Sequence, residues 1–289
     1  MWVVLALGSA TFAGAMSILA KIGIKKTDST LATAIRTIIV LIMAFIMVLI
    51  VGSLNTITTI SPESWIFLTL SGLATGASWL CYFKVLQLGN VNQVAPIDKS
   101  STIMSMLLAF IILQEPINWL KGICMVVIAV GTFLMIEKKE VDSEKKSNRL
   151  WILFAFLSAI FAALTSILGK IGIEGVESNL GTFLRTIVVL IMSWLMVLIT
   201  KKGDGLKHID KKELLFICLS GIATGGSWLC YYKALQDGFA SVVVPIDKLS
   251  IVFTVAFSYF VLKEKLSIKA LIGLILIVAG TLCMLIPVQ

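Results

Sequence analysis

The chain has 289 residues, 58% hydrophobic and 14% charged, with a net charge of +8 and a mean hydropathy of +1.02. Such values lie outside the range of soluble globular domains and imply a multi-pass membrane protein whose first partner is the lipid bilayer. No basic and aromatic stretch lies outside the apolar segments, so nucleic acid is not an expected partner.

A helix crosses a hydrocarbon core of roughly 30 Å with about 20 apolar residues. Ten runs of that kind are predicted, near 2–23, 30–51, 65–87, 91–113, 117–136, 150–172, 179–200, 213–235, 239–262 and 268–287. The first lacks the basic leader of a secretory signal, and its counterpart after Arg149 lies mid-chain, so it is read as a structural span. Span 1 ends on Lys21 and span 2 begins with Arg36. Span 3 carries Gly76-ASWLCYF-Lys84, and span 4 opens with V-A-P-I-D-K, which holds Asp98 and Lys99. Glu115 follows in a tight turn, as Glu264 does after span 9, and both are expected to be solvated.

Displacing the sequence by 149 positions repeats the order. Residues 35–50 match 184–199 at 11 of 16 positions, and 71–89 match 220–238 at 14 of 19, so the whole chain is a duplication. The repeats are expected at 1–137 and 150–289, joined by a charged linker at 138–149. Lys170, Arg185, Lys233, Asp247 and Lys248 are the second copies of the embedded charges.

Five spans is an odd number, so the second copy must enter the membrane from the opposite side. The expected fold is an all-α membrane protein of ten transmembrane helices in two inverted five-helix repeats. This symmetry serves alternating-access transporters, in which two copies of one element rock about a midplane site. Fifteen Lys and Arg residues fall in loops on the face opposite the termini, against Lys121 alone on the terminal face. By the positive-inside rule the basic face is cytoplasmic and both termini are outside.

Charge at the bilayer centre costs about 2.5 to 3.5 kcal/mol per group. The ten embedded charges would together cost on the order of 30 kcal/mol if left bare, against a typical net stability of about 5 to 15. They must be paired, hydrated or placed to snorkel. The first five lie toward the basic face and the second five toward the terminal face, separated by on the order of 10 Å. Arg36, Lys84, Asp98 and Lys99, with Arg185, Lys233, Asp247 and Lys248, are therefore candidates for the substrate or proton pathway and its gates. Lys21 and Lys170 are either gate residues or snorkelling lysines. Trp79 and Tyr82, and Trp228 and Tyr231, each share a helix face and are candidate cavity walls, an interfacial belt being the alternative. Pro96 either interrupts the helix ladder or occupies a first turn, where its missing N–H costs nothing. No metal cluster, nucleotide-binding motif or catalytic constellation is visible, so no cofactor and no enzyme activity are expected.

The motifs RT, SGxATGxSWLCY, LQxG and PIDK resemble the EamA-like branch of the drug/metabolite transporter superfamily, especially its five-helix bacterial and archaeal members, here doubled in one chain. The resemblance implies a ten-helix basket in which spans 1 to 4 and 6 to 9 line a central cavity while 5 and 10 pack outside. Relatives export amino acids, other metabolites or drugs, or exchange sugar phosphates and nucleotide sugars. They are usually described with cytoplasmic termini, the reverse of what the lysines indicate here. The expected function is secondary transport, by export or exchange, of a small anionic or zwitterionic metabolite such as an amino acid or organic phosphate, with protons as a candidate coupling ion. Proton-coupled efflux of hydrophobic cations and a non-transporting, lipid-handling scaffold are the alternatives. The expected setting is the plasma membrane of a prokaryote, as monomer or homodimer.

Overall fold

The computed structural model describes residues 1–23, 26–88, 91–135, 150–260 and 267–286, except for the side chains at 21–23, 83, 85–88, 91–99, 150, 151, 257, 258 and 260. Within these the chain forms eleven α-helices: α1 (Trp2–Gly23), α2 (Ser29–Val51), α3 (Pro62–Leu88), α4 (Val91–Ile112), α5 (Trp119–Leu134), α6 (Leu150–Gly172), α7 (Ser178–Ile199), α8 (Lys211–Asp237), α9 (Ala240–Lys248), α10 (Ser250–Phe260) and α11 (Ile268–Cys283). Six are long and apolar enough to cross a membrane on their own, and α5 and α11 are shorter apolar helices. Side-chain caps fix several starts. Asp28, Asn118, Glu177 and Asp210 accept backbone N–H groups in the first turns of α2, α5, α7 and α8, which otherwise lack partners.

The ninth expected span is divided. Pro245 lies six residues into α9, past the first turn, so its missing N–H removes a ladder bond. Leu249 then bonds three residues back to Ile246 (3.0 Å), and α10 starts afresh at Ser250. The matching Pro96 lies within α4, which runs unbroken from Val91 to Ile112.

The two repeats pack against each other as antiparallel images. Along α3 and α6, the Ser71 hydroxyl donates to the Thr165 carbonyl (2.7 Å) and Ser78 meets Ser158 (3.4 Å), with residue numbers rising on one helix as they fall on the other. Ser9 and Ser227, the repeat images of Ser158 and Ser78, meet in the same way between α1 and α8 (3.1 Å). Phe45, late in α2, packs on Phe183, early in α7, with centroids 5.3 Å apart. The outer pair α5 and α11 crosses at Gly131 and Gly273, each facing the other's backbone.

Close approach depends on the duplicated G-x-A-T-G motif. A Cβ on Gly72 would lie 2.7 Å from the Val188 side chain, and one on Gly221 would lie 2.7 Å from that of Ile39. Gly76 and Gly225 meet Met192 and Met43 as tightly, at 2.6 and 2.7 Å. Such small-xxx-small ridges let helices associate in lipid, where burial of apolar surface supplies little drive. We predict that Gly72→Ala and Gly221→Ala each destabilise the detergent-solubilised protein by about 1–3 kcal/mol. Gly122→Ala should leave it unchanged, because a Cβ there meets nothing within 4 Å. Thermal unfolding followed by tryptophan fluorescence checks both.

A candidate substrate cavity between the repeats

A cavity of about 370 Å³ lies where the halves meet, lined by Met16, Ser17, Thr75, Ser78 and Trp79 from the first repeat and by Thr165, Ser166, Arg185, Trp228, Tyr231, Tyr232, Asp247 and Lys248 from the second. The helices that lock the halves together also supply the walls. In α3 and α8 the close-packing glycines are followed two and three residues later by the cavity-lining Ser78 and Trp79, Ser227 and Trp228.

Arg185 dominates its chemistry. The side chain is 2% exposed. Its Nε donates to Ser71 Oγ (2.9 Å) and one terminal nitrogen, Nη2, donates to Thr75 Oγ1, both across the repeat interface. The guanidinium carbon lies 4.9 Å from the Trp228 ring centre and 4.8 Å from that of Tyr232, within cation–π range. The other terminal nitrogen, Nη1, is buried and has no hydrogen-bond partner. No carboxylate pairs with Arg185 among the described residues. A buried donor without a partner is costly, and an incoming anionic oxygen would satisfy it.

Asp247 sits beside the break between α9 and α10. It accepts from Ser9 Oγ (2.6 Å), and Lys248 Nζ lies 3.9 Å from its other oxygen, with their side chains 17% and 50% exposed. Tyr231 donates to Ser166 Oγ (2.7 Å) and meets Tyr232 edge-on at 5.4 Å. The cavity wall therefore offers a guanidinium, a carboxylate with a lysine beside it, and aromatic surface.

The remaining sequence candidates lie elsewhere. Arg36 is half-buried and donates to Met16 Sδ (3.3 Å) and Thr33 Oγ1 (3.1 Å). Lys233 bonds Gln236 (3.2 Å) and Asp237 (3.0 Å) on its own helix, and Lys84 is exposed; neither is part of the cavity wall. Tyr82 is half-buried on α3, outside that wall. The side chains of Lys21, Asp98 and Lys99, and all of Glu264, lie outside the described residues.

Glu115 corrects an expectation. A position in a tight turn predicts a solvated carboxylate, yet its side chain is 4% exposed. The turn between α4 and α5 tucks under the second repeat, where Glu115 accepts the N–H groups of Ala240 (2.6 Å) and Ser241 (2.9 Å) at the start of α9. Lys170 Nζ lies 3.0 Å away and also donates to the Gly238 carbonyl. One carboxylate of the first repeat thus ties α6 and α9 of the second at the terminal face. Glu213 was also missed. Its carboxylate accepts the N–H groups of Lys26 (2.9 Å) and Thr27 (3.0 Å) at the opposite face.

Burial pushes the Glu115 carboxyl up, but hydrogen bonding from the Ser241 N–H and the charge of Lys170 outweigh it and leave the pKa below its ordinary 4.5. A depressed carboxylate stabilises the fold above its unfolded-state pKa, and that contribution is lost as pH falls through the depressed value. We predict that Glu115→Gln costs roughly 1–3 kcal/mol between pH 5 and 7. The difference from wild type should shrink only below pH 4.5, which a pH series of thermal midpoints would measure.

Comparison with known proteins gives the family and the fold. The model of the EamA-like transporter family matches residues 1–137 and again 149–286. A protein of a Sinorhizobium species described as an uncharacterized transporter in the cobO 3' region is 41% identical over 135 residues, which is 47% of this chain and 96% of that relative, so the relative is one repeat long. An uncharacterized transporter of Synechocystis is 22% identical over 246 residues, covering 79% of this chain and 68% of its own. A solved structure superposes over 98% of this chain and 96% of its own with a TM-score of 0.79 at 13% identity, a likeness of fold alone. With two matches that together take in nearly all its length, the chain belongs to the EamA-like transporter family, as a doubled, multi-pass membrane member.

Proposed function

We propose that the protein is a secondary active transporter that exports or exchanges a small anionic or zwitterionic organic metabolite, in the class of amino acids and organic phosphates, by alternating access of its two repeats. The reading rests on one observation above others: the wall of the cavity shared by both halves includes a buried arginine with one nitrogen unpartnered. Binding there offsets a desolvation cost already present in the empty protein, so an anion gains more from this site than a neutral solute does. Asp247 supplies the counter-pole for an ammonium group or a proton. The volume of about 370 Å³ suits a metabolite of a few to a dozen heavy atoms.

The setting we propose is the plasma membrane of a prokaryotic cell, with the lysine-rich face cytoplasmic. On that orientation the Glu115 tie lies at the outer face and the cavity lining extends inward to Ser17 and Trp79. Two alternatives predict different behaviour. Efflux of hydrophobic cations requires the carboxylate of Asp247 but not Arg185, and a static scaffold requires neither.

Counterflow into proteoliposomes with labelled amino acids, organic acids and organic phosphates tests the proposal. Arg185→Gln should lower flux of the active substrate at least about tenfold, as expected for loss of a charged hydrogen bond, while leaving the protein monodisperse. Wild-type flux in that variant, or loss of flux in Asp247→Asn alone, would contradict the anionic reading.

A further inference from the structure

The two repeats place their arginines in almost the same backbone setting and yet in different bonds. A Cβ on Gly72 would lie 3.1 Å from the Arg185 carbonyl, and its image on Gly221 would lie 3.2 Å from the Arg36 carbonyl, so α3 meets α7 as α8 meets α2. Arg185 nevertheless reaches across to Ser71 and Thr75, one turn apart on α3. Their images on α8, Ser220 and Thr224, bond among the described residues only to carbonyls of their own helix, at 2.8 and 2.7 Å. Arg36 rests instead on Met16 and Thr33. The same split appears in the helix that carries the acid, broken after Lys248 in the second repeat and continuous in the first.

We propose that Ser220 and Thr224 form a second seat, for the guanidinium of Arg36, which is empty in this conformation and fills as the seat on Ser71 and Thr75 is vacated. The anion of the transport cycle is then bound by whichever arginine is seated. This rests on the transport reading above and assigns it two recognition points used in turn.

The physical case is one of exchange between equivalents. Each seat provides two hydroxyl acceptors and closes the halves at its own end of the cavity, and each leaves one terminal nitrogen for ligand. Thr224 already lines the cavity, and the Arg36 backbone packs one residue away from Ser220. Neither helix need travel far for the side chain to cross. Substrate gains nothing from moving the equilibrium unless it binds the two states differently, and a seated arginine supplies that difference at each end. The rival explanation is a fixed difference between the copies, because Met16 stands where the second repeat has Thr165.

A readout independent of substrate separates the two. In a variant with all five cysteines replaced, Ser17→Cys reports access to the cavity by a membrane-impermeant maleimide added at the basic face. Adding Thr224→Glu gives the empty seat a carboxylate and should draw Arg36 in. Labelling should fall on the order of tenfold, the shift that one charged hydrogen bond gives a two-state equilibrium. Adding Arg36→Gln to that variant should restore labelling, which a merely misfolded protein would not do. Thr75→Glu, which strengthens the occupied seat, should leave labelling at the parent level. Parent-level labelling with Thr224→Glu, or failure of Arg36→Gln to restore it, would overturn the second seat. Absence of anion flux with this labelling pattern intact would instead remove the transport reading and leave the seat standing.

Discussion

The second repeat is inverted relative to the first, so that α2 meets its image α7, and α5 its image α11, antiparallel, while α3 runs alongside α7 and α8 alongside α2 in the same direction. In lipid there is little hydrophobic force to bring such helices together, so close packing must hold them. Gly72 and Gly76 against α7, and Gly221 and Gly225 against α2, serve that purpose twice over. Because the interface is built from images, whatever follows the glycines in sequence is delivered to the midline from both sides. Ser78 and Trp79, and Ser227 and Trp228, occupy that position and form walls of the cavity. The cavity is thus a consequence of the packing rule.

The embedded cations are accommodated by different means, and the differences locate the chemistry. Lys84 is exposed, and Lys233 is satisfied by acceptors on its own helix. Lys170 is neutralised by Glu115 from the other repeat, in a pair whose carboxylate also caps α9. Arg185 has no anion among the described residues and relies on two hydroxyls and two aromatic rings. Hydroxyl dipoles and ring faces offset part of the cost of burying a guanidinium. The part left over is carried by the buried Nη1, on a side chain that lines a cavity large enough for a metabolite. A protein that only needed to lock helices would be better served by a carboxylate.

The fold was largely legible from the sequence because its signals are long and periodic: apolar runs of membrane length, a shift of 149 residues, and the parity of five. The ninth span is the exception. The same P-I-D-K motif yields a continuous α4 and a divided α9 and α10, and no local rule distinguishes copies whose surroundings differ. The site was legible in part. Arg185 and Asp247 stood out as charges where lipid disfavours them, and Trp79, Trp228 and Tyr231 as amphipathic rings beside them. Ser71, Thr75 and Tyr232 did not stand out, because hydroxyls within a glycine-rich stretch read as helix-packing residues until the arginine that crosses to them is located. Glu115 was misjudged for a related reason. Its partners are the first N–H groups of a helix 125 residues away, which turn chemistry alone does not reveal.

The central claim is that two images of one repeat meet antiparallel within a single chain, with equivalent hydroxyl pairs at their two interfaces. Disulfide trapping in a protein without native cysteines tests this most directly, using Ser78→Cys with Ser158→Cys and, separately, Ser9→Cys with Ser227→Cys. Both pairs should close within one chain on mild oxidation, since their hydroxyls lie 3.4 and 3.1 Å apart. Closure of neither pair, or closure only between separate chains, would contradict the account.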